Sequence, residues 1–244
     1  MALSSITKKL IMSLTGLFLI VFMLMHSTIN FFAVIDVLKG TWGEAAGEGW
    51  YAGGCWFMAT PVIDIMVPIL ALGFVIHIIY AGILTMQNRK ARGPQRYDVT
   101  HKGKSESWAS KNMFVLGVIV LGLIAFHMSH FWAEMQYVEW FKGEHVAPEK
   151  AYFLLEKTFG TWWMTAIYIV WFAALWFHLT HGFWSALQTI GWSNKVWEKR
   201  LMCLGTVLAT LFFVMLTVTA VVAYLVANGI IPGSVMACCC GGCC

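Results

Sequence analysis

Hydrophobic residues along the chain fall into five long runs that are separated by polar or mixed connections. A helix that crosses a membrane needs about 20 mostly apolar residues, and each of these runs is long enough. The short alternating segments that are typical of a transmembrane β-barrel do not occur. The pattern predicts an all-α integral membrane protein, with spans near residues 10–35, 61–86, 112–136, 159–187 and 201–227.

The composition agrees with a membrane protein, because 59% of the 244 residues are hydrophobic and only 11% are charged. Soluble domains are about 45–50% apolar and about 25% charged. These values exclude a soluble globular enzyme, a disordered protein and a disulfide-stapled secreted module. We expect residues 1–228 to form one transmembrane domain. Residues 229–244 form a tail that holds five of the seven cysteines and for which we have no function.

The basic residues are distributed unequally between the two sides of the predicted membrane. Twelve of the 16 lysines and arginines lie in the N-terminal segment and in loops 87–111 and 188–200, all on one side. Cytoplasmic loops of membrane proteins carry such an excess, so we expect a cytoplasmic N-terminus and an external C-terminus. The net charge of +4 is therefore a topology signal. No basic face interleaved with aromatic residues predicts nucleic-acid binding.

Ionisable residues inside membrane spans are rare and mark interior cavities or cofactors. Six of the eight histidines lie in the predicted spans, namely His26, His77, His127, His130, His178 and His181. At a rise of about 1.5 Å per residue, His26 and His127 lie roughly 24 and 22 Å from the cytoplasmic ends of their spans. His77 and His178 lie roughly 14 Å from theirs. These four histidines are thus predicted to form two pairs at two depths.

Two imidazoles at one depth on different helices are the axial ligands that a six-coordinate haem requires. The chain contains no C-x-x-C-H motif, so covalent haem attachment is excluded and two non-covalent haems b are predicted. The His-x-x-His pairs at 127/130 and 178/181 suggest another metal as an alternative, although their different depths disfavour one shared site. Purely structural histidines are the third possibility.

Small residues lie four or five positions before three of these histidines: Gly73, Gly122, Ala173 and Ala174. A helical side chain leans over the turn that precedes it. Small residues at these positions would therefore let a flat macrocycle approach the helix. Small residues are also common where membrane helices pack, so ordinary helix packing is the alternative interpretation.

Four stretches around the histidines resemble the cytochrome b subunit of succinate dehydrogenase/fumarate reductase, of the type in which one five-helix chain holds two haems b. They read SLTGLFLIVFMLMHSTIN, HIIYAGILTMQNRKAR, FHMSHFW and FHLTHGFWSALQTIGW. The resemblance covers nearly the whole chain except the tail. It implies that His26 and His127 hold a distal haem, and that His77 and His178 hold a proximal haem.

The resemblance also implies partners and a location. An iron–sulfur subunit and an FAD-carrying flavoprotein would dock on the cytoplasmic face, and menaquinol or menaquinone would react within the bacterial cytoplasmic membrane. By analogy with the family, we expect the complex to reduce fumarate with menaquinol. The resemblance does not decide whether the heterotrimer forms a dimer. The anchor of a hydrogenase or formate dehydrogenase is one alternative, and a non-redox membrane protein is another.

A quinone site needs an apolar slot and a group that exchanges protons, for which carboxylates are the usual choice. Glu44 and Glu48 are the predicted proton acceptors, and Asp64 and Glu134 are two further acids on the predicted outer side. The flanking tryptophans also fit an ordinary interfacial aromatic belt with solvated acids.

Two more positions gain meaning only through the resemblance. Ser13 matches a position near haem propionates in relatives. Trp176 stands where some relatives carry a glutamate that is linked to proton movement through the membrane. A proton route through that glutamate is therefore in doubt for this chain.

Overall fold

The computed structural model describes residues 4–93 and 108–233. This part of the chain is helical and contains no strand. Its helices are α1 (Ser5–Lys39), α2 (Trp50–Met58), α3 (Pro61–Arg92), α4 (Trp108–Lys111), α5 (Met113–His130), α6 (Lys150–Phe159), α7 (Trp162–Thr189) and α8 (Glu198–Ala227), with a π-helical turn at Val138–Lys142. Five of them (α1, α3, α5, α7 and α8) are long and apolar enough to cross a membrane, which confirms the predicted all-α membrane class.

Four of the long helices form a ring. Helix α1 packs on α3, α3 meets α5 lightly, α5 packs on α7, and α7 returns to α1. The diagonal partners α1 and α5 barely contact each other, and the same holds for α3 and α7. Helix α8 lies outside the ring, against α1 and α7. The ring therefore has an interior that side chains must fill across its diagonals.

Helix ends differ from the predicted spans where local hydrogen bonds decide the boundary. Helix α1 begins at Ser5 because the Ser4 hydroxyl accepts a hydrogen bond from the Thr7 amide at 3.1 Å. It ends at Lys39 and is capped by Gly40, whose φ of 73° favours glycine. Both ends extend beyond the predicted 10–35, since apolar composition marks the membrane core and not the helix caps.

The third span was predicted to reach residue 136, but α5 ends at His130. The Phe126 carbonyl accepts hydrogen bonds from the Ser129 hydroxyl at 2.7 Å and from the His130 ring nitrogen Nδ1 at 2.8 Å. Side chains that bond to helix carbonyls in this way compete with the backbone ladder. Beyond His130 the chain continues in wider turns, as in the bond from the Ala133 amide to the Met128 carbonyl.

Helices α2 and α6 were not predicted and cover one end of the ring, here called the α2/α6 end. Fully buried Asp36 at the end of α1 accepts hydrogen bonds from the amides of Trp50 and Tyr51, at 2.8 and 2.7 Å. Its carboxylate thereby caps the first turn of α2. Tyr152 of α6 donates its hydroxyl to the same carboxylate at 2.6 Å. One side chain thus joins three helices.

Candidate haem-binding histidine pairs

One histidine pair lies on the diagonal between α1 and α5. The rings of His26 and His127 meet with their centroids 5.6 Å apart and their planes at 87°. Their backbones do not pack against each other, so the two side chains reach across the interior of the ring. We call these residues the outer pair, because they lie nearer the α2/α6 end.

The second pair, His77 and His178, lies on the other diagonal and is called the inner pair. The Nδ1 atom of His77 lies 3.2 Å from the Thr15 hydroxyl of α1. A Cβ added to Gly16 would lie 3.3 Å from Cε1 of His77, and one added to Gly117 would lie 3.6 Å from Cε1 of His178. His77 therefore lies against α1, and His178 lies against α5.

The arrangement of the outer pair fits two axial ligands of one haem. Metal–imidazole bonds of about 2 Å on opposite sides of an iron would set the ring centroids about 6 Å apart. The outer pair shows 5.6 Å. All four histidines of the two pairs are half-buried. The donor set and its spacing therefore fit haem.

Other metals fit these pairs less well. Protein zinc sites use three or four ligand side chains that converge on one ion. Within residues 4–93 and 108–233, no group of three or more histidine, cysteine, aspartate or glutamate side chains is placed to hold a metal ion. Haem needs only two protein ligands, because the porphyrin supplies the others.

The neighbouring histidines make different contacts. His130 is bonded through Nδ1 to the Phe126 carbonyl and packs on the Phe126 ring, with centroids 4.3 Å apart. His181 packs edge-on against Trp184 at 5.7 Å. Neither His-x-x-His motif brings its two rings onto a common centre, since each member has its own neighbours.

Two glycines beside the inner pair were missed by the sequence analysis. Gly16 and Gly117 lie ten residues before His26 and His127, on the same two helices. This repeated Gly-x9-His spacing is the signal that would have found them. Of the small residues that were predicted instead, Gly73 lies against Phe18, and a Cβ added to Gly122 would meet nothing within 4 Å.

The predicted proton acceptors Glu44 and Glu48 are exposed, in the loop between α1 and α2. Two other acids have partners. Asp64 accepts hydrogen bonds from the side chains of Gln136 and Trp140 at 3.0 and 3.1 Å. Glu134 forms an ion pair with Lys157 at 3.4 Å and a longer one with Lys150 at 3.9 Å. Glu44 and Glu48 thus remain the acids at the surface of this loop.

Two buried carboxylates, Asp36 and Glu156, were not predicted. Glu156 accepts a hydrogen bond from the Trp42 indole at 2.9 Å, which fastens the loop after α1 to α6. Burial, together with the bond to Asp36, raises the pKa of Tyr152 well above its ordinary value. Burial also raises the pKa of Cys55 to about 12. The Tyr152 hydroxyl and the Cys55 thiol therefore stay protonated at neutral pH and belong to a structural end of the bundle.

The two positions that were singled out through the resemblance are both engaged in hydrogen bonds. Ser13 is buried and donates its hydroxyl to the Lys9 carbonyl of its own helix at 3.0 Å. The Trp176 indole donates to the Thr210 hydroxyl of α8 at 2.9 Å. Trp176 therefore ties α8 to the ring.

Comparison with known proteins finds no family model, no curated protein and no solved structure that matches this chain. The two histidine pairs are therefore the feature of this chain that bears on its function. The cysteines of the tail and most of the basic loop 87–111 lie outside the described residues.

Proposed function

We propose that this chain is a dihaem cytochrome b subunit that carries electrons between menaquinol or menaquinone and soluble partner subunits, as in fumarate reductase/succinate dehydrogenase complexes. The observation that carries the proposal is the placement of two histidine pairs across the two diagonals of one helical ring. His26 and His127 would hold one haem, and His77 and His178 the other.

Bound haems would supply one-electron transfer at two levels of the membrane. The four imidazoles would hold the two haem irons, and Gly16 and Gly117 leave room beside the inner pair. On α1, Gly16 lies beside the inner pair and His26 belongs to the outer pair. The ten residues from one to the other correspond to roughly 15 Å along the helix. The pairs thereby divide a hydrocarbon core of about 30 Å into shorter steps.

An apolar groove between α1 and α2 is our candidate for the quinone site. Its volume is about 560 Å³, and its walls come from Val21, Leu24, Met25, Thr28, Ile29, Phe32, Trp50, Gly53, Gly54 and Phe57. Ligand pockets of such a volume are typical for small apolar molecules. The α1 residues of the groove lie before and after His26, so the groove is at the same depth as this histidine. Glu48 lies two residues before Trp50, which forms part of the groove wall. Glu48 would accept the protons of the quinol, with Glu44 as the second choice.

The end of the bundle opposite α2 and α6 would receive the iron–sulfur subunit, with the FAD-carrying subunit attached beyond it. The short loop between α7 and α8 exposes Trp192, Val196 and Trp197 there. Lys195 and Lys199 add exposed positive charge, and Arg200 lies over the Trp197 ring at 5.2 Å. An apolar, cationic surface of this kind suits an acidic partner that sits at the membrane, which we take to be the cytoplasmic side.

The test is a haem count on the purified membrane complex, with reduced-minus-oxidised spectra after addition of succinate and then of a menaquinol analogue. Two b-type haems per chain, reduced by the quinol and reoxidised by fumarate, are expected. If soluble subunits of a hydrogenase or formate dehydrogenase co-purify instead, the chain is the membrane anchor of that enzyme. A colourless complex would overturn the redox proposal and leave structural histidines.

A further inference from the structure

Thr15 makes the hydrogen bond that orients one histidine of the inner pair. Its hydroxyl oxygen lies 3.2 Å from Nδ1 of His77, across the interface between α1 and α3. The adjacent Gly16 allows this approach, because a Cβ there would lie only 3.3 Å from Cε1 of the same ring. The His77 ring is therefore held against α1 by one polar and one steric contact.

The direction of this hydrogen bond follows from the number of protons available. Thr15 has one hydroxyl proton, and its oxygen lies 2.9 Å from the Ile11 carbonyl and 3.0 Å from the Met12 carbonyl. Because these carbonyls can only accept, they take the hydroxyl proton, and the Thr15 oxygen is left to accept from His77. The Thr15 oxygen therefore favours a proton on Nδ1 of His77.

A neutral imidazole with its proton on Nδ1 has its lone pair on Nε2, the atom that then binds a metal. We propose that Thr15 is a positioning residue that fixes His77 in this tautomer and holds its Nε2 ready as the axial ligand of the inner haem. The inference rests on the proposed dihaem function. His178, the other member of the pair, has a buried Nδ1 with no hydrogen-bond partner among the described residues. The inner site is thus anchored from the α3 side alone.

The expected effect has two parts. Loss of a hydrogen bond to the outer nitrogen of a ligand histidine typically lowers metal affinity about 10–100-fold. The hydrogen bond also makes the imidazole a stronger donor, which favours the oxidised iron, so its loss should raise the potential of the inner haem. A tenfold change in the relative affinity for the two oxidation states corresponds to about 59 mV for one electron.

The experiment compares Thr15→Val with Thr15→Ser, which restores the hydroxyl, in the complete membrane complex. Thr206→Val is the matched control, because Thr206 is exposed on α8 and bonds only to its own helix, at 3.0 Å to the Met202 carbonyl. A redox titration reports both haems in one sample. Nitrogen NMR of labelled histidine in haem-free protein reports the tautomer of His77 directly, with His77→Gln to assign the signal.

Thr15→Val is expected to shift one haem upwards in potential or to lose that haem, to leave the other unchanged, and to lower the Nδ1-protonated fraction of His77. Thr15→Ser and Thr206→Val should match the unmodified protein. Two haems with unchanged potentials and an unchanged tautomer in Thr15→Val would overturn the role of Thr15 while the proposed function stands. Absence of haem from the unmodified complex would overturn both.

Discussion

The replacement of Asp36 by alanine tests how the α2/α6 end is held together. The carboxylate accepts four hydrogen bonds, from the Trp50 amide, the Tyr51 amide, the Tyr152 hydroxyl and the Thr41 hydroxyl, the last at 3.0 Å. Alanine leaves the first three donors without this acceptor, and two of them belong to the buried residues Tyr51 and Tyr152. Each such orphan reduces stability by about 1–3 kcal/mol.

Relief from the burial of a charge offsets part of this loss, since removing a carboxylate from a low-dielectric site is itself favourable. Three such orphans add up to roughly 3–9 kcal/mol, so the net destabilisation after this offset should be about 3–5 kcal/mol. For a chain of this size that corresponds to a fall in melting temperature of about 10 °C. Asparagine keeps one of the two acceptor oxygens and should lose about half as much.

The assay is thermal unfolding of the detergent-solubilised protein, followed by tryptophan fluorescence, to which Trp42 and Trp50 contribute. Glu134→Ala is the control, because Glu134 pairs with Lys157 and Lys150 at the surface, and exposed ion pairs contribute only about 0–1 kcal/mol. Equal melting temperatures for Asp36→Ala and Glu134→Ala would refute the reasoning that Asp36 joins the three helices.

Three further predictions concern the quinone site, the α2/α6 end and the inner pair. Glu48→Gln should slow quinol oxidation at least about 100-fold, the usual worth of a proton acceptor, and Glu144→Gln at another exposed position should not; equal rates would remove Glu48 from the site. Cys55, with its pKa of about 12, should react with maleimide at pH 8 about 1000-fold more slowly than free cysteine, whereas rapid labelling of Cys55 itself, located by peptide mapping of the folded protein, would show that its thiol is not buried. Gly117→Leu should expel the inner haem by collision with His178, and Gly122→Leu should retain both haems in the same pigment assay, because its side chain enters open space.

The hydrophobic pattern was sufficient to find the five long helices, because runs of about 20 mostly apolar residues are rare outside membrane-spanning helices. The ends were less predictable. The early end of α5 depends on Ser129 and His130 bonding to one carbonyl, which is a local competition that hydropathy does not register. Helix α2 escaped notice because nine residues are too few for a clear periodic signal.

The four histidines of the two pairs could be paired from depth alone, since the rise per residue is constant along a helix. The depth of a residue along its helix does not determine which way its side chain faces around the helix axis. The contacts of His77 with Thr15 and of His178 with Gly117 depend on which faces of the helices meet, and only the folded arrangement shows this. Likewise, Asp36 and Glu156 resemble other loop-proximal acids in the sequence, although both are fully buried.

The most direct measurement of the central claim is a haem count on four single variants that compare each proposed ligand with the histidine three positions further along. His127→Ala and His178→Ala should each contain one haem per chain, while His130→Ala and His181→Ala should each contain two. The expected difference arises because His130 is bonded to the Phe126 carbonyl and His181 packs on Trp184, so each has a partner of its own. Equal haem contents within either comparison would contradict the assignment of that histidine pair.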